Sequence, residues 1–416
     1  MNDAERSSEK PSRGDRLTIH IDRLSVGGRG VGRANELVIF VPDVCPNEDV
    51  EVEITFVKKN FAEARLINVI TTSASRVKPP CPVAGLCGGC NWQHVAYDEQ
   101  LRQKRELVRE SLRKFSGFDV SAADAVQPVV ASPSPLRYRN RVQFHHVGRE
   151  LGYYARGSHR LVSIDDCPIA EESIAALIPE LKQRLATEPG GRIEVFIAED
   201  SSVQTRGGTQ ASALEGDDDE GGLNFAFSQV NTQQNRNLVA AVTEIFAEKF
   251  FGDPIQTIVD LYAGSGNFTL PLAQALPLAK LTAVELNRES VERGDSKSRQ
   301  LQPSREIRWV QSDVGAFLSK EKITSGAGVL IDPPRSGCEP EVVNLLAQSS
   351  IGFLVYVSCH PVTLSRDLKI LREAGFVLES VRPFDMFPQT DHVETLVVLT
   401  KPAFGLARKT PRVLHA

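Results

Sequence analysis

The chain has no apolar run approaching the roughly 20 residues that a membrane-spanning helix needs. Its opening, Met1-Asn-Asp-Ala-Glu-Arg6, lacks the basic and apolar regions of a signal peptide. Both absences predict a cytoplasmic protein without membrane contact. Basic charge is not in excess either: 48 lysines and arginines stand against 53 acids, a net charge of −5. That balance argues against blanket attraction to nucleic acid, so any RNA site has to be a local basic patch. Cysteine is scarce. Seven unevenly spaced cysteines do not make a disulfide scaffold, and in a cytosolic chain they more often serve metal binding or catalysis. What is present is ordinary for a soluble globular protein: 41% hydrophobic and 24% charged residues over 416 positions, enough for roughly two to three domains.

Residues 1–15 are polar, without periodicity, and read as a mobile tail. From 16 to 72 the chain changes to short alternating apolar runs, Leu17-Thr-Ile-His-Ile21, Leu37-Val-Ile-Phe-Val41 and Val50-Glu-Val-Glu-Ile-Thr-Phe56. Gly27-Gly-Arg-Gly-Val-Gly32, Pro42, Pro46 and Asn47 break them at turn-like spacing. This predicts a small OB-like β-barrel. The glycine run precedes a strand and does not open a helix, so it reads as a hairpin and not as a dinucleotide loop. OB-like barrels often bind oligonucleotides, although a fold alone assigns no function.

A central part, 73–224, carries the densest chemical signal outside the catalytic region. Cys81, Cys87 and Cys90 form a C-x5-C-x2-C run with glycines that let the backbone wrap around an ion or cluster. Cys167, followed by Pro168, supplies a fourth thiolate, and four thiolates suit zinc or an iron-sulfur cluster alike. Cys45 and Cys338 stand apart and read as ordinary residues. Residues 97–114 have helical spacing of Leu101, Val108 and Leu112 with a basic outer face. Arg137, Arg139 and Arg141 alternate as a strand would place them on one face. With Tyr138 and Phe144 they predict a surface for phosphate contact and base stacking. A helix over Glu171–Leu185, a strand over Arg192–Ala198 and a flexible acidic loop over 211–222 complete this part.

From 225 to 416 apolar strands alternate with helical stretches, which predicts a doubly wound parallel sheet. Phe227-Ser-Gln-Val-Asn-Thr-Gln-Gln-Asn235 opens a long helix through Phe251. Three strand ends then present polar groups to one crevice, where open α/β sheets hold their ligands. They are Asp260 before Leu-Tyr-Ala-Gly-Ser-Gly266, Asp332 before Pro-Pro-Arg335, and Cys359 in Val357-Ser-Cys-His-Pro361. Glu285 ends a later strand, roughly 20 residues past the glycine turn, where an acid takes the ribose hydroxyls, and Asp313 ends another, placed for an adenine amine. The turn lacks the full G-x-G-x-x-G pattern, which favours S-adenosylmethionine over NAD.

These motifs together resemble the RNA uracil-5-methyltransferases, in the branch with an amino-terminal TRAM domain and a 4Fe-4S cluster. The likeness spans Arg16 to Lys401. It rests on Cys81, Cys87, Cys90 and Cys167, on Phe227-Ser-Gln-Val-Asn, Asp260-Leu-Tyr-Ala-Gly-Ser-Gly-Asn, Asp332-Pro-Pro-Arg, Val357-Ser-Cys-His-Pro and His392-Val-Glu-Thr395. The resemblance implies a TRAM barrel, a small α+β central domain and a Rossmann-like methyltransferase domain. It further implies a 4Fe-4S cluster on the four cysteines. Gln229, Tyr262, Asn267, Glu285, Asp313 and Asp332 become the pocket for S-adenosylmethionine and the target base, Cys359 the nucleophile and Glu394 the base. His360 stands where the family usually has asparagine, and Ala263 where it often has cysteine.

The chemistry accounts for such residues. Carbon 5 of uracil is a poor nucleophile until a thiolate adds at carbon 6, and the hydrogen left on carbon 5 after methylation needs a general base. His392 is the rival of Glu394 for that task. A free cysteine titrates near ~8.5, so Cys359 requires an electrostatic helper; the sequence identifies none. A uracil inside a helix hides carbon 6, so the substrate is single-stranded or flipped RNA. The branch resembled points to 23S rRNA, tRNA being the second choice, and no protein partner is expected of what reads as a monomer. A non-catalytic RNA-binding metalloprotein is the reading from another class.

Overall fold

β-Branched runs broken by glycine and proline close into a five-stranded barrel at the amino end of the computed structural model, which describes residues 10–198, 200–207, 229–252, 257–301 and 307–401. Its strands are β1 (Arg16–Leu24), β2 (Gly30–Ala34), β3 (Leu37–Val41), β4 (Asp49–Val57) and β5 (Phe61–Thr71), in the order β1-β2-β3-β5-β4. Alternate residues such as Ile19, Ile21, Ile39, Val50 and Val52 fill the interior. The glycine run is the β1–β2 hairpin, as its sequence context predicts. Gly27 and Gly28 turn with φ of +88° and +74°, and a Cβ on Gly32 would lie 2.5 Å from the carbonyl of His20.

Helix α1 (Tyr97–Phe115) follows. Val108 and Leu112 pack in one hydrophobic cluster with Leu364, Leu368 and Leu371 of the carboxyl-terminal region. The helix also buries Gln100, Gln103 and the whole of Lys104, so one member of its basic series points inward.

The central sheet has the order β10-β9-β6-β7-β8, from β6 (Arg141–Val147), β7 (Glu150–Tyr154), β8 (Leu161–Ser163), β9 (Gly191–Ile197) and β10 (Val203–Gly207). Two expectations fail here. The helix over Glu171–Leu185 is two short ones, α2 (Glu172–Ala175) and α3 (Ile178–Arg184). Pro179 has no N–H to donate to the carbonyl of Ala175, so the ladder cannot run through. The arginine row is not one strand face. Arg137 adopts φ +54° and is paired with Asp166 at 2.7 Å, and only Arg141 lies in a strand. Nor do the aromatics stack outward: Phe144 is 0% and Tyr138 4% exposed, both in the central core.

The remaining elements are α4 (Thr232–Gly252), β11 (Thr257–Leu261), α5 (Thr269–Ala275), β12 (Lys280–Glu285), α6 (Arg288–Leu301), β13 (Ile307–Gln311), α7 (Val314–Lys320), β14 (Ala327–Ile331), α8 (Pro340–Gln348), β15 (Phe353–Ser358), α9 (Pro361–Glu373), β16 (Val377–Phe384) and β17 (Glu394–Thr400). They form a sheet ordered β13-β12-β11-β14-β15-β17-β16, with one apolar core on each side. β11 to β15 are mutually parallel, but β17 is antiparallel to both neighbours. The connection from β16 to β17 contains no crossover helix, which parallel pairing would need. α4 starts at Thr232, its first turn capped where Gln234 N–H donates to Asn231 Oδ1 at 3.1 Å. Phe227, Ser228, the acidic stretch 211–222 and most of the amino-terminal tail lie outside the described residues.

Candidate active site

The antiparallel β17 decides where Glu394 stands. Ser358 pairs with Thr395 across β15 and β17, so continuing the register by one residue sets Cys359 opposite Glu394. Asp332 leaves the adjacent strand β14, its N–H directed at the carbonyl of Leu261 at 3.4 Å. The thiol and the two carboxyls therefore share the carboxyl edge of the parallel strands. Cys359 is partly exposed, while Glu394 is 2% exposed.

Few cations serve this cluster. Burial, reinforced by Glu394 and Asp332, pushes the Cys359 thiol up to about 12, and Arg335 pulls it down. Burial likewise raises Glu394 to about 7 against the pull of Arg335. Asp332 is raised well above the ordinary carboxyl range by burial, then by Glu394 and Asp260. Asp260 is raised to about 7, chiefly by burial. One of its oxygens accepts from Thr269 Oγ1 at 2.5 Å; the other is buried with no partner among the described residues. Arg335 also approaches His392 Nε2 at 3.4 Å. It lies inside the Asp-Pro-Pro-Arg motif, yet sequence reasoning gave it no role, because its reach to Cys359 depends on the fold.

The glycine turn after β11 forms the second half of the site. Tyr262 adopts φ +62°, Gly264 +56° and Gly266 +92°, and a Cβ on Gly264 would meet nothing within 4 Å, which leaves the backbone open to a ligand. Glu285 accepts from the N–H groups of Gly264 at 2.9 Å and Asn287 at 2.7 Å. Asn267 exchanges amide hydrogen bonds with Asn235 at 2.8 and 3.2 Å, a partner the sequence did not single out. The Tyr262 hydroxyl donates to Glu339 at 2.8 Å. Next to Glu285, whose carbonyl accepts from Ser312 N–H, Asp313 is exposed and caps α7 through the N–H of Ala316 at 2.9 Å. Gln229 lies just ahead of α4, its carbonyl accepting from Asn140 Nδ2 at 3.1 Å.

Residues 317–402 match the family model described as tRNA (Uracil-5-)-methyltransferase, and residues 11–67 match that of the TRAM domain. An uncharacterized RNA methyltransferase of Bdellovibrio bacteriovorus is 39% identical over 95% of this chain and 98% of its own. The chain belongs to the RNA (uracil-5-)-methyltransferase family. Another uncharacterized RNA methyltransferase, from Thermosynechococcus vestitus, is 32% identical over 93% of this chain and 98% of its own. In fold, the methyltransferase is similar to the tRNA (uracil-54, C5)-methyltransferase of Pyrococcus abyssi crystallised with S-adenosyl-L-homocysteine. The TM-score is 0.70 at 23% identity, covering 92% of this chain and 99% of that one. No helix among the described residues of the methyltransferase is long and apolar enough to cross a membrane.

In the methyltransferase His360 takes up a capping position at the amino end of α9, its Nδ1 accepting from Thr363 N–H at 3.4 Å. Burial and then Arg335 lower its pKa, which keeps the ring neutral as the cap requires. A short polar acceptor such as asparagine does the same work at a helix start.

The four cysteines of the methyltransferase share one neighbourhood. Burial, with the charge of Cys167 adding to it, pushes the thiols of Cys81, Cys87 and Cys90 up, Cys90 to about 12. Gly89 N–H points at Cys87 Sγ at 3.4 Å, and a Cβ on Gly88 would lie 2.8 Å from the carbonyl of Tyr154, so the loop closes tightly on β7. Yet among the described residues no group of three or more His, Cys, Asp or Glu side chains is set to hold one metal ion. The metal centre anticipated from the cysteine spacing is therefore not established by this geometry.

Proposed function

We propose that the methyltransferase modifies carbon 5 of a specific uridine in RNA, with 23S rRNA as the substrate, through a covalent adduct between Cys359 and carbon 6. The observation that carries this reading is the register that sets Cys359 opposite Glu394 beside Asp332 at the sheet edge. Cys359 adds to carbon 6, which makes carbon 5 an enolate carbon. S-adenosylmethionine supplies an electrophilic methyl on a positively charged sulfur. Glu394 then takes the proton from carbon 5, and its pKa near 7 suits a base working at neutral pH. Gln229, Tyr262, Asn267, Glu285, Asp313 and Asp332 are assigned to the cofactor and base pocket, and the Gly264–Gly266 turn provides the close backbone approach.

The RNA surface differs from the arginine row anticipated from sequence. Support for it now comes from half-buried groups on the central sheet: His145 stacks on Tyr154 with ring centroids 3.8 Å apart, and Phe196 lies between Arg141 and Arg206 at 5.4 and 5.1 Å. Aromatic faces flanked by arginine suit unpaired bases and phosphates. The test is methyl transfer from labelled cofactor to purified rRNA and tRNA that lack the modification, with 5-methyluridine located by mass spectrometry. Label confined to rRNA upholds the assignment. Label confined to tRNA, the substrate that the matched family model's description names, keeps the chemistry and changes the substrate.

Arg335 is proposed as the helper of the Cys359 thiolate. Arg335→Gln is expected to move the pH profile of adduct formation to higher pH, with a loss on the order of tenfold at neutral pH. An unshifted profile in rapid-quench measurements would refute this.

The four cysteines are proposed to carry a 4Fe-4S cluster in a structural role. Their chemistry fits: each thiolate of a cubane binds a different iron, so the sulfurs need not converge on one point as around a single ion. Protein prepared without oxygen is expected to contain iron and acid-labile sulfide, both lost in a Cys81→Ser, Cys90→Ser variant. Stoichiometric zinc without iron would overturn the assignment.

A further inference from the structure

Connections between strands run over the surface as a rule, but the one from β16 to Glu394 does not. Asp385, Met386, Gln389, Thr390, Asp391 and Val393 are all buried. Among the described residues no helix or strand ladder holds this segment; backbone and side-chain groups from distant parts of the chain do. Lys104 of α1, 0% exposed, donates to the Asp385 carboxylate and to the carbonyl of Phe387 at 2.9 Å. The second oxygen of Asp385 accepts from the Tyr97 hydroxyl at 2.8 Å. Gln389, at φ +70°, donates its N–H to Gln100 Oε1 at 2.9 Å and its side-chain amide to the carbonyl of Pro135 at 3.2 Å. Its carbonyl accepts from the N–H groups of Asn91 and Trp92, just past Cys90, at 3.2 and 3.0 Å. Asp391 accepts from Gly27 N–H of the barrel hairpin and from Asn91 Nδ2, each at 2.6 Å.

A buried ion pair of this kind adds little net stability over an apolar pair of the same shape, because both charges are desolvated. What it does impose is one geometry. A general base has to sit within hydrogen-bond reach of its proton, and a displacement of about 1 Å can cost on the order of 100-fold in rate.

We propose that Lys104, acting with Asp385 and Gln389, is a positioning group that fixes the segment 385–393 and thereby holds the Glu394 carboxylate at the proton on carbon 5. This rests on Glu394 being the base. In the step concerned, that proton passes to a Glu394 oxygen. The C–H electron pair becomes the carbon 5–carbon 6 double bond, while the bond from carbon 6 to Cys359 breaks and its pair returns to sulfur. A slack segment slows this elimination and leaves RNA binding and methyl transfer alone.

Lys104→Met would strand the Asp385 charge and endanger folding, so the variant to test is Lys104→Met with Asp385→Asn. Gln389→Gly, compatible with a positive φ, loosens the same segment from its other end. Expected for both are RNA affinity within about twofold of wild type, single-turnover methyl transfer within about threefold, and release of methylated RNA slowed at least about tenfold. An enzyme–RNA adduct stable to denaturing electrophoresis then accumulates. Glu394→Gln is run beside them. Adduct in Glu394→Gln but none in either positioning variant overturns the proposal alone. No adduct in Glu394→Gln removes the base assignment and the proposal with it. Turnover that falls only as far as the folded fraction, measured by circular dichroism, likewise overturns it.

Discussion

Cys359→Ala is expected to abolish methylation, a fall on the order of 10^4-fold or more, the scale on which loss of a covalent nucleophile is felt. Alanine cannot add to carbon 6, so carbon 5 never acquires the electron density that attacks the methyl group. The protein should fold normally, since Cys359 follows the last residue of β15 and is partly exposed, with no cavity opened in either core. Removing a thiol that burial and two carboxyls hold protonated also relieves no charge at neutral pH. The measurement is methyl incorporation into RNA together with electrophoresis for the adduct. RNA and cofactor affinities near those of wild type, with neither product nor adduct, uphold the assignment. Methylation at the wild-type rate would show that Cys359 is only the end of a strand and would favour a different nucleophile or a non-catalytic RNA-binding protein.

Glu394→Gln is expected to lower turnover by about 10^2- to 10^4-fold, the contribution of a general base, and to do so at the last step. Addition and methyl transfer still occur, so the methylated RNA remains bound to Cys359 as an isolable adduct. Turnover by wild type should rise as pH increases through about 7, where Glu394 ionises, and the variant should lose that dependence. Stability moves in the opposite sense. The folded state raises the pKa of Glu394 from 4.5 to about 7, so it holds this proton more tightly than the unfolded chain does. The associated stability is complete below pH 4.5 and is lost as pH rises through about 7. Glutamine, which has no charge to bury, should therefore leave the folded protein more stable than wild type above pH 7, and equal to it near pH 4. Thermal melting at both pH values checks this. If instead turnover is unchanged and His392→Ala accumulates the adduct, the base is His392.

Much of this was legible in the amino-acid order. Period-two apolar runs broken by glycine specified the barrel, because alternation fixes which residues turn inward whatever the partner strand. Apolar strands ending in Asp260, Asp332 and Cys359 specified parallel strands with polar groups at one edge, whereas the metal site read from the spacing of Cys81, Cys87 and Cys90 has no counterpart as a single-ion site among the described residues. Tertiary structure decided the rest. Tyr138 and Phe144 are core residues and not base-stacking ones, since a periodic pattern says that a side chain is covered but not by what. Arg335 acts on Cys359, and Lys104 on the segment leading to Glu394, across sequence separations that no local spacing encodes. The antiparallel course of β17 follows from its short connection to β16, but its place beside β15 depends on which sheet edge was free to receive the hairpin. That placement turns a glutamate at the start of a strand into a neighbour of Cys359.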